Sequence, residues 1–76
     1  MMYTLKMFYQ DGRVDKFFRV TKVEYEKHQG PQSLEGDALY NHNFPLNCTI
    51  HIFTEEKNVI YSLNGIVRVE IKKEEV

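Results

Sequence analysis

The sequence has few of the residues that stabilise very small proteins. It contains one cysteine in 76 residues, so a disulfide within the chain is excluded. Its apolar runs are a few residues long, far below the ~20 that a membrane-spanning helix needs. A lone thiol and no recognisable signal peptide favour a reducing compartment, and we therefore expect a cytoplasmic protein. So short a chain is predicted to form a single domain over residues 1–76, with self-association as the simplest source of extra stability.

Strong charge of either sign is also missing. The net charge of −1 argues against a general nucleic-acid binder, which normally carries a clear basic excess. The charges are nevertheless unevenly distributed, because residues 1–22 are mainly basic and residues 23–40 are mainly acidic. Such a charge dipole can steer a partner, or a second copy of the chain, towards the protein.

The clearest structural signal is an alternation of apolar and polar residues over 3–20, interrupted by Asp11-Gly12. Asp-Gly favours a two-residue type I′ turn, because both central residues of that turn need positive φ. The inner face of the predicted hairpin then pairs these side chains across the strands: Tyr9 with Val14, Met7 with Lys16, Leu5 with Phe18, and Tyr3 with Val20. The outer face carries the alternate side chains: Lys6, Phe8, Asp15, Phe17 and Arg19.

Residues 21–29 fit two interpretations. As a short helix, they have Thr21 as the N-cap and Glu24 completing a capping box. As a strand, Val23 and Tyr25 alternate with polar residues and continue the preceding strand past a bulge. The sequence does not decide between the two.

Residues 30–47 are rich in Gly, Pro, Asn and Ser and show no sustained period. They are predicted to form a long connection with one short element near 37–40. A connection of this length is often functional or mobile in a small domain.

The last third of the chain contains three strand-like segments. A three-residue loop, Leu63-Asn64-Gly65, is predicted to join the last two strands as a hairpin, with Gly65 in the left-handed region. This loop aligns Val59 with Val69 and Tyr61 with Val67. Residues 73–76 are charged and are predicted to form a frayed tail.

These elements predict a mainly β fold, or an α+β fold if residues 21–29 are helical. The expected architecture is a five-stranded antiparallel meander, either curled into a small barrel or covered on one face by the long connection. The segments "YQDGRVDKFFRVTKVEY" and "IVRVEI" resemble small uncharacterised β-rich proteins of Gram-positive bacteria and their phages. The resemblance implies a small β fold and a cytoplasmic setting, and it implies no activity.

The segment "YNHNFPLNCTIHIF" holds the residues that most suggest chemistry. A zinc site needs three or four ligands around one ion, yet a strand over 47–53 sends Cys48 inward and His51 outward. The same alternation denies the Cys48 thiol a histidine base. His42 is expected to face water, and His28 lies near the end of the possible helix. We therefore predict no metal site and no thiol catalysis.

No other catalytic pattern is present, since the sequence lacks a G-x-S-x-G motif, a glycine-rich phosphate loop and an H-E-x-x-H motif. The sequence predicts a non-enzymatic protein without a cofactor. The favoured hypothesis is a small protein-binding or regulatory module, of phage or mobile-element origin, acting alone or as a homodimer. Its partner would contact aromatic residues that a domain this small cannot easily bury: Phe8, Phe17, Tyr40 and Phe44. The opposing expectation is that the long connection folds over Phe8 and Phe17 and completes the core.

A second hypothesis comes from a different class of protein. Basic side chains interleaved with aromatic rings are typical of surfaces that bind single-stranded nucleic acid. The predicted outer face of the first hairpin supplies four such residues: Lys6, Phe8, Phe17 and Arg19. Asp15 on the same face and the negative net charge weigh against this alternative.

Overall fold

A computed structural model describes residues 2–27, 30–42, 44–45 and 48–74. The elements follow in the order β1 (Tyr3–Tyr9), β2 (Val14–Lys27), β3 (Gly30–Glu35), α1 (Gly36–Tyr40), β4 (Thr49–Thr54), β5 (Asn58–Ser62) and β6 (Ile66–Lys73). The strands are antiparallel and form one 6-stranded sheet in the order β5-β4-β2-β1-β6, with β3 paired to β2. The predicted mainly β fold is confirmed, whereas the sheet is open and has one strand more than expected. In the described part of the chain, no helix is long and apolar enough to cross a membrane.

β2 organises the sheet because it is long enough to pair with three other strands. Its first half pairs with β1, and its second half pairs with both β3 and β4. Val23 lies opposite Leu34 of β3 and opposite Ile52 of β4, so β3 and β4 lie on opposite sides of β2. The helical interpretation of residues 21–29 is therefore wrong for residues 21–27, and the extended interpretation is confirmed there. Residues 28 and 29 lie outside the described residues.

The first hairpin forms where predicted, but its register differs by one residue. Met7 lies opposite Asp15 and Leu5 lies opposite Phe17, because the loop has three residues rather than two. The backbone N–H of Tyr9 donates to the carbonyl of Arg13 at 2.8 Å, and Gly12 adopts φ +95°, as in a three-residue hairpin loop with a bulge. The Asp11 carboxylate accepts hydrogen bonds from the backbone and the side chain of Arg13 and stabilises this loop.

A bulge at Arg19 then restores the predicted pairing of Tyr3 with Val20. Arg19 has φ +56°, a conformation that non-glycine residues rarely adopt. Its backbone N–H donates to the Glu74 carboxylate at 2.6 Å, and its guanidinium contacts Glu56 at 2.6 Å. Lys73 lies within β6 and the Glu74 N–H donates to the carbonyl of Met2. Hence the predicted frayed tail is wrong for residues 73 and 74, while residues 75 and 76 lie outside the described residues.

The segment predicted as a long connection contains more structure than expected. Residues 30–35 form β3, which the sequence analysis missed, and residues 36–40 form α1 at the predicted short element. Leu34 and Leu39 are buried, so β3 extends the inner face of the sheet with an apolar side chain and α1 covers that face.

The predicted hairpin between β5 and β6 is wrong. β6 pairs with β1 instead, with Val69 opposite Met7 and Ile71 opposite Leu5, and β5 pairs with β4. Gly65 does have positive φ, at +87°. The three residues from Leu63 to Gly65 join β5 to β6, the first and last strands of the sheet order. This short loop brings the end of β5 near the start of β6.

The core lies on the inner face of the curled sheet. On this face Leu5 of β1 lies between Phe17 and Ile71, and Met7 lies between Asp15 and Val69. β4, β3 and α1 supply further buried side chains. The buried apolar residues are Tyr3, Leu5, Met7, Val20, Val23, Tyr25, Leu34, Leu39, Ile50, Ile52, Leu63 and Ile66.

Candidate interaction surface

His51 lies on the outer side as the strand alternation predicts, whereas Cys48 lies just before β4 (Thr49–Thr54) and is not fully buried. Cys48 is half-buried and packs against the core, and its Sγ donates to the carbonyl of Pro45 at 3.2 Å. Burial raises the pKa of the Cys48 thiol, which disfavours the thiolate that a nucleophile or metal ligand needs. His51 lies on the outer face of β4, opposite Glu24 of β2. Both residues line a hollow of about 440 Å³ with Glu24, Glu26 and Pro31.

No metal centre is built around these residues in the part of the chain that the structure describes, where no three His, Cys, Asp or Glu side chains could share an ion. His42 departs from expectation, because it is half-buried and its Nε2 lies 2.5 Å from the hydroxyl of Tyr25. His28 lies outside the described residues. The histidines seen in the structure therefore stabilise the fold or line its surface.

Three of the four aromatic residues predicted to bind a partner pack against their own chain. Tyr40 stacks on Tyr3 with ring centroids 5.9 Å apart, and Phe44 packs against the core beside Tyr25. Phe17 faces inward, because of the register difference, and meets the Tyr61 ring edge-on at 5.0 Å. The opposing expectation, that the connection covers Phe8 and Phe17, is not met: Tyr40 of α1 packs on Tyr3, and His42 and Phe44 pack against Tyr25.

Only two of the four residues predicted to bind nucleic acid share an outer face. Lys6 and Phe8 lie there, whereas Phe17 faces the core. Arg19 occupies the bulge, and its guanidinium contacts the carboxylates of Glu55 and Glu56. The predicted group of four is therefore wrong as a continuous surface.

The register observed in the structure assembles a different group on that side of the sheet. Lys6 lies between Lys16 of β2 and Glu70 of β6, and Phe8 lies between Val14 and Arg68. We call this surface the basic face and define it by its charged and aromatic members: Lys6, Phe8, Lys16, Phe18, Arg68, Glu70 and Lys72.

The basic face combines one exposed ring with four cations. Phe18 is 59% exposed, and it lines a hollow of about 380 Å³ with Thr4, Lys72, Lys73 and Glu74. The Arg68 guanidinium lies 4.0 Å from the centroid of the Phe8 ring and also contacts Glu70 at 3.2 Å. Because the net charge of the whole chain is −1, this cationic excess is matched by an acidic excess elsewhere.

The opposite charge collects on the outer side of the second half of β2. Glu24 and Glu26 point outward there, with Glu24 contacting Lys22 at 3.2 Å, and Glu35 of β3 is exposed opposite Lys22. The charge dipole expected from the sequence therefore lies along the outer side of one sheet.

A polar cluster that the sequence analysis missed lies on the inner face. The hydroxyl of Tyr61 donates to the Asp15 carboxylate at 2.7 Å, and the Tyr9 and Tyr61 hydroxyl oxygens are 2.5 Å apart. Each hydroxyl has one proton: Tyr61 donates its proton to Asp15, and the Tyr9 hydroxyl lies within donating distance of both the same carboxylate, at 3.1 Å, and the Tyr61 oxygen. Burial first, and then donation of the Tyr61 proton to the Asp15 carboxylate, raises the pKa of Tyr61. We call Tyr9, Asp15 and Tyr61 the tyrosine cluster.

The geometry of the tyrosine cluster fits a structural role. It joins the start of β2, the end of β1 and β5, three strands that do not all pair with one another. Asp15 had been assigned to the outer face, and the three-residue loop turns it inward. Only the correct loop length could have revealed the cluster from the sequence.

Comparison with protein families, with curated proteins and with solved structures finds no match for this chain.

Proposed function

We propose that this protein is a small non-enzymatic binding module that recognises an acidic protein partner through the basic face. The observation that carries the proposal is the exposed Phe18 ring beside Lys16 and Lys72. Binding energy at protein interfaces concentrates in a few central aromatic or arginine side chains, which a polar rim surrounds. Phe18 would serve as the apolar anchor, and the lysines would contact carboxylates of the partner.

The arrangement of charges supports a partner whose contact surface is negatively charged. Complementary charge at the rim mainly raises the association rate and rejects unsuitable partners. The carboxylates of Glu24, Glu26 and Glu35, on the outer side beyond the Arg19 bulge, would repel an acidic partner. They would thereby restrict its contact to the basic face.

The proposal is tested by capturing partners from host lysate with the immobilised protein and comparing two variants. Phe18→Ala removes the anchor, and Lys16→Glu reverses one charge of the rim. We expect each change to weaken binding of the captured partner at least ~10-fold, as for truncation of an interface hot spot. Lys22→Glu is the matched control, because it makes the same charge change beyond the Arg19 bulge, where Lys22 lies opposite Glu35 and Phe53.

A partner that binds the wild type and all three variants equally would contradict the proposed surface. Failure of the wild type to retain any protein at low salt would contradict a protein-binding function. Circular dichroism of each variant distinguishes a lost contact from a lost fold.

A second candidate function is binding of single-stranded nucleic acid, which the four cations of the basic face favour. The single well-exposed ring weighs against it, because sequence-tolerant binding of single strands uses successive stacked bases. A labelled single strand titrated at about 50 mM and about 200 mM salt tests this function, since phosphate contacts weaken steeply with salt. Binding that disappears in Lys16→Glu and persists in Lys22→Glu would support it. No binding at the lower salt concentration would exclude it.

The resemblance to small proteins of Gram-positive bacteria and their phages supplies the setting of the proposal. A regulatory module of phage or mobile-element origin, acting in the cytoplasm, would bind a host or phage protein there. The host lysate in the capture experiment is chosen for this reason.

A further inference from the structure

The strand β5 has one edge without a hydrogen-bonding neighbour among the described residues. Its ladder with β4 continues into two backbone hydrogen bonds, from Leu63 N–H to the Cys48 carbonyl and from Thr54 N–H to the Lys57 carbonyl, each at 2.8 Å. In an antiparallel pair, every second residue bonds to the partner and the alternate residues direct their N–H and C=O groups the other way. Val59 and Tyr61 therefore bond to β4, while Asn58, Ile60 and Ser62 present their backbone groups outward.

The β5 edge also lacks the features that usually prevent strands from pairing between molecules. Natural edge strands are protected by charged side chains, by proline or by bulges. β6, the strand at the other end of the sheet order, carries Arg68, Glu70, Lys72 and Lys73. β3 carries Pro31 and Glu35. β5, with the sequence NVIYS, has neither a charge nor a proline.

The five residues of β5 are also complementary to themselves. A two-fold axis through Ile60 would place Asn58 opposite Ser62 of a second copy, and Ile60 opposite Ile60 of that copy. Val59 would lie opposite Tyr61 of the second copy on the inner face. Polar side chains thus lie opposite polar side chains, and apolar side chains lie opposite apolar ones. The backbone groups of Asn58, Ile60 and Ser62 in each copy would form about six hydrogen bonds with those of the other copy.

We propose that two copies of this chain associate through antiparallel pairing of their β5 strands about a two-fold axis at Ile60. The two sheets then form one continuous sheet, and the exposed Ile60 side chains, each 69% exposed in the single chain, pack against each other. A second copy of the chain is the favoured partner of this edge, because β5 has no charged residue that would lie opposite a like charge across the two-fold axis. The inference does not rest on the basic face, which lies on other strands and stays accessible in the dimer.

The contact is small, since a five-residue edge buries less than the ~1,200 Å² of a standard stable interface. We therefore expect association to depend on concentration, with a dissociation constant between about 10 µM and about 1 mM. Sedimentation velocity of the whole chain over this range should show the weight-average mass rising from monomer towards dimer. A monomeric mass throughout would overturn the proposal.

A charge-pair experiment locates the interface. Ile60→Lys and Ile60→Glu each place like charges opposite each other across the two-fold axis, and like charges in that position destabilise strand pairing. We expect each variant alone to dimerise at least about 10-fold more weakly than the wild type, and an equimolar mixture to recover the heterodimer. Val67→Lys and Val67→Glu are the controls. Val67 is also an exposed β-branched residue, with 55% of its surface exposed, and it lies in β6, the strand at the other end of the sheet order. Unchanged dimerisation of the Ile60 variants, or a mixture that stays monomeric, would contradict pairing at this residue.

A proline variant separates backbone pairing from side-chain packing. The N–H of Ile60 points away from β4, so Ile60→Pro removes no hydrogen bond of the chain's own ladder, as proline on an edge strand allows. We expect Ile60→Pro to keep its circular dichroism spectrum and to lose dimerisation, whereas Ile60→Thr retains the backbone bonds and dimerises more weakly than the wild type. A folded Ile60→Pro variant that dimerises like the wild type would overturn the strand pairing. If Ile60→Pro does not fold, the mixed Lys and Glu variants decide the question.

Discussion

The inner face of the sheet is covered in two different ways in two regions of the molecule. On one side, α1, His42 and Phe44 form an aromatic lid, in which Leu39 is fully buried and Tyr40 stacks on Tyr3. On the other side, the tyrosine cluster bridges strands that do not all pair, and its contacts are hydrogen bonds to one carboxylate. Apolar burial is insensitive to pH, whereas a cluster of ionisable groups is not. The two regions should therefore respond differently to truncation and to alkali.

The largest effect is expected at the aromatic lid. Leu39→Ala removes a fully buried side chain and leaves a cavity, and it should lower the free energy of unfolding by about 3 kcal/mol. Because a domain of this size has only ~3–5 kcal/mol to lose, the variant should be partly unfolded at 25 °C. Urea denaturation followed by circular dichroism measures the change. The exposed neighbour Ala38 provides the control, since Ala38→Ser should change stability by no more than about 0.5 kcal/mol.

A smaller loss is expected in the tyrosine cluster. Asp15→Ala removes the shared acceptor, while Tyr9 and Tyr61 can still bond to each other, so we expect a loss of about 2 kcal/mol. Asp15→Asn keeps an acceptor oxygen of the same shape and should cost about half as much. Equal stability of Asp15→Ala and the wild type in the same urea titration would show that the cluster is incidental to the fold.

The smallest effect concerns pH. Tyr61→Phe keeps the ring against Phe17 and should cost about 1 kcal/mol at neutral pH. The pKa of Tyr61 is raised in the folded protein, so the folded state holds this proton more tightly than the unfolded chain, in which a tyrosine has a pKa of about 10. Stability from this group is therefore complete below about pH 10 and falls as the pH rises above that value. The difference in unfolding free energy between the wild type and Tyr61→Phe should shrink above about pH 10, and a constant difference would contradict the pKa shift.

The strands themselves could be predicted well, because alternation of apolar side chains is a local property of a half-buried strand. The exception is β3, whose sequence GPQSLE has one buried residue, Leu34. Proline and glycine at its start are typical of loops, and they are tolerated here because β3 lies at an edge. The bulge at Arg19 was also hidden, since its unusual φ is held by Glu74 from the far end of the sequence.

The candidate surface was predicted only in part, for reasons that follow from the pairing of strands. Lys6 and Phe8 were found because their side of β1 depends on alternation alone. Phe18 and Lys16 were missed because a loop one residue longer than expected moves β2 by one position, which exchanges its two faces. Arg68 and Lys72 were missed because β6 was expected beside β5.

From the sequence alone follow the β class of the fold, the inward side of β1, the extended segments and the lack of a catalytic motif. Each depends on residue type and on spacing within a few residues. The tertiary structure decided which strands are neighbours, where the tyrosine cluster and the basic face assemble, and which strand edge stays open. These depend on contacts between residues far apart in the chain, such as Lys6 with Glu70. The free energy of such pairing depends on which distant segments come together, and no local sequence pattern determines that.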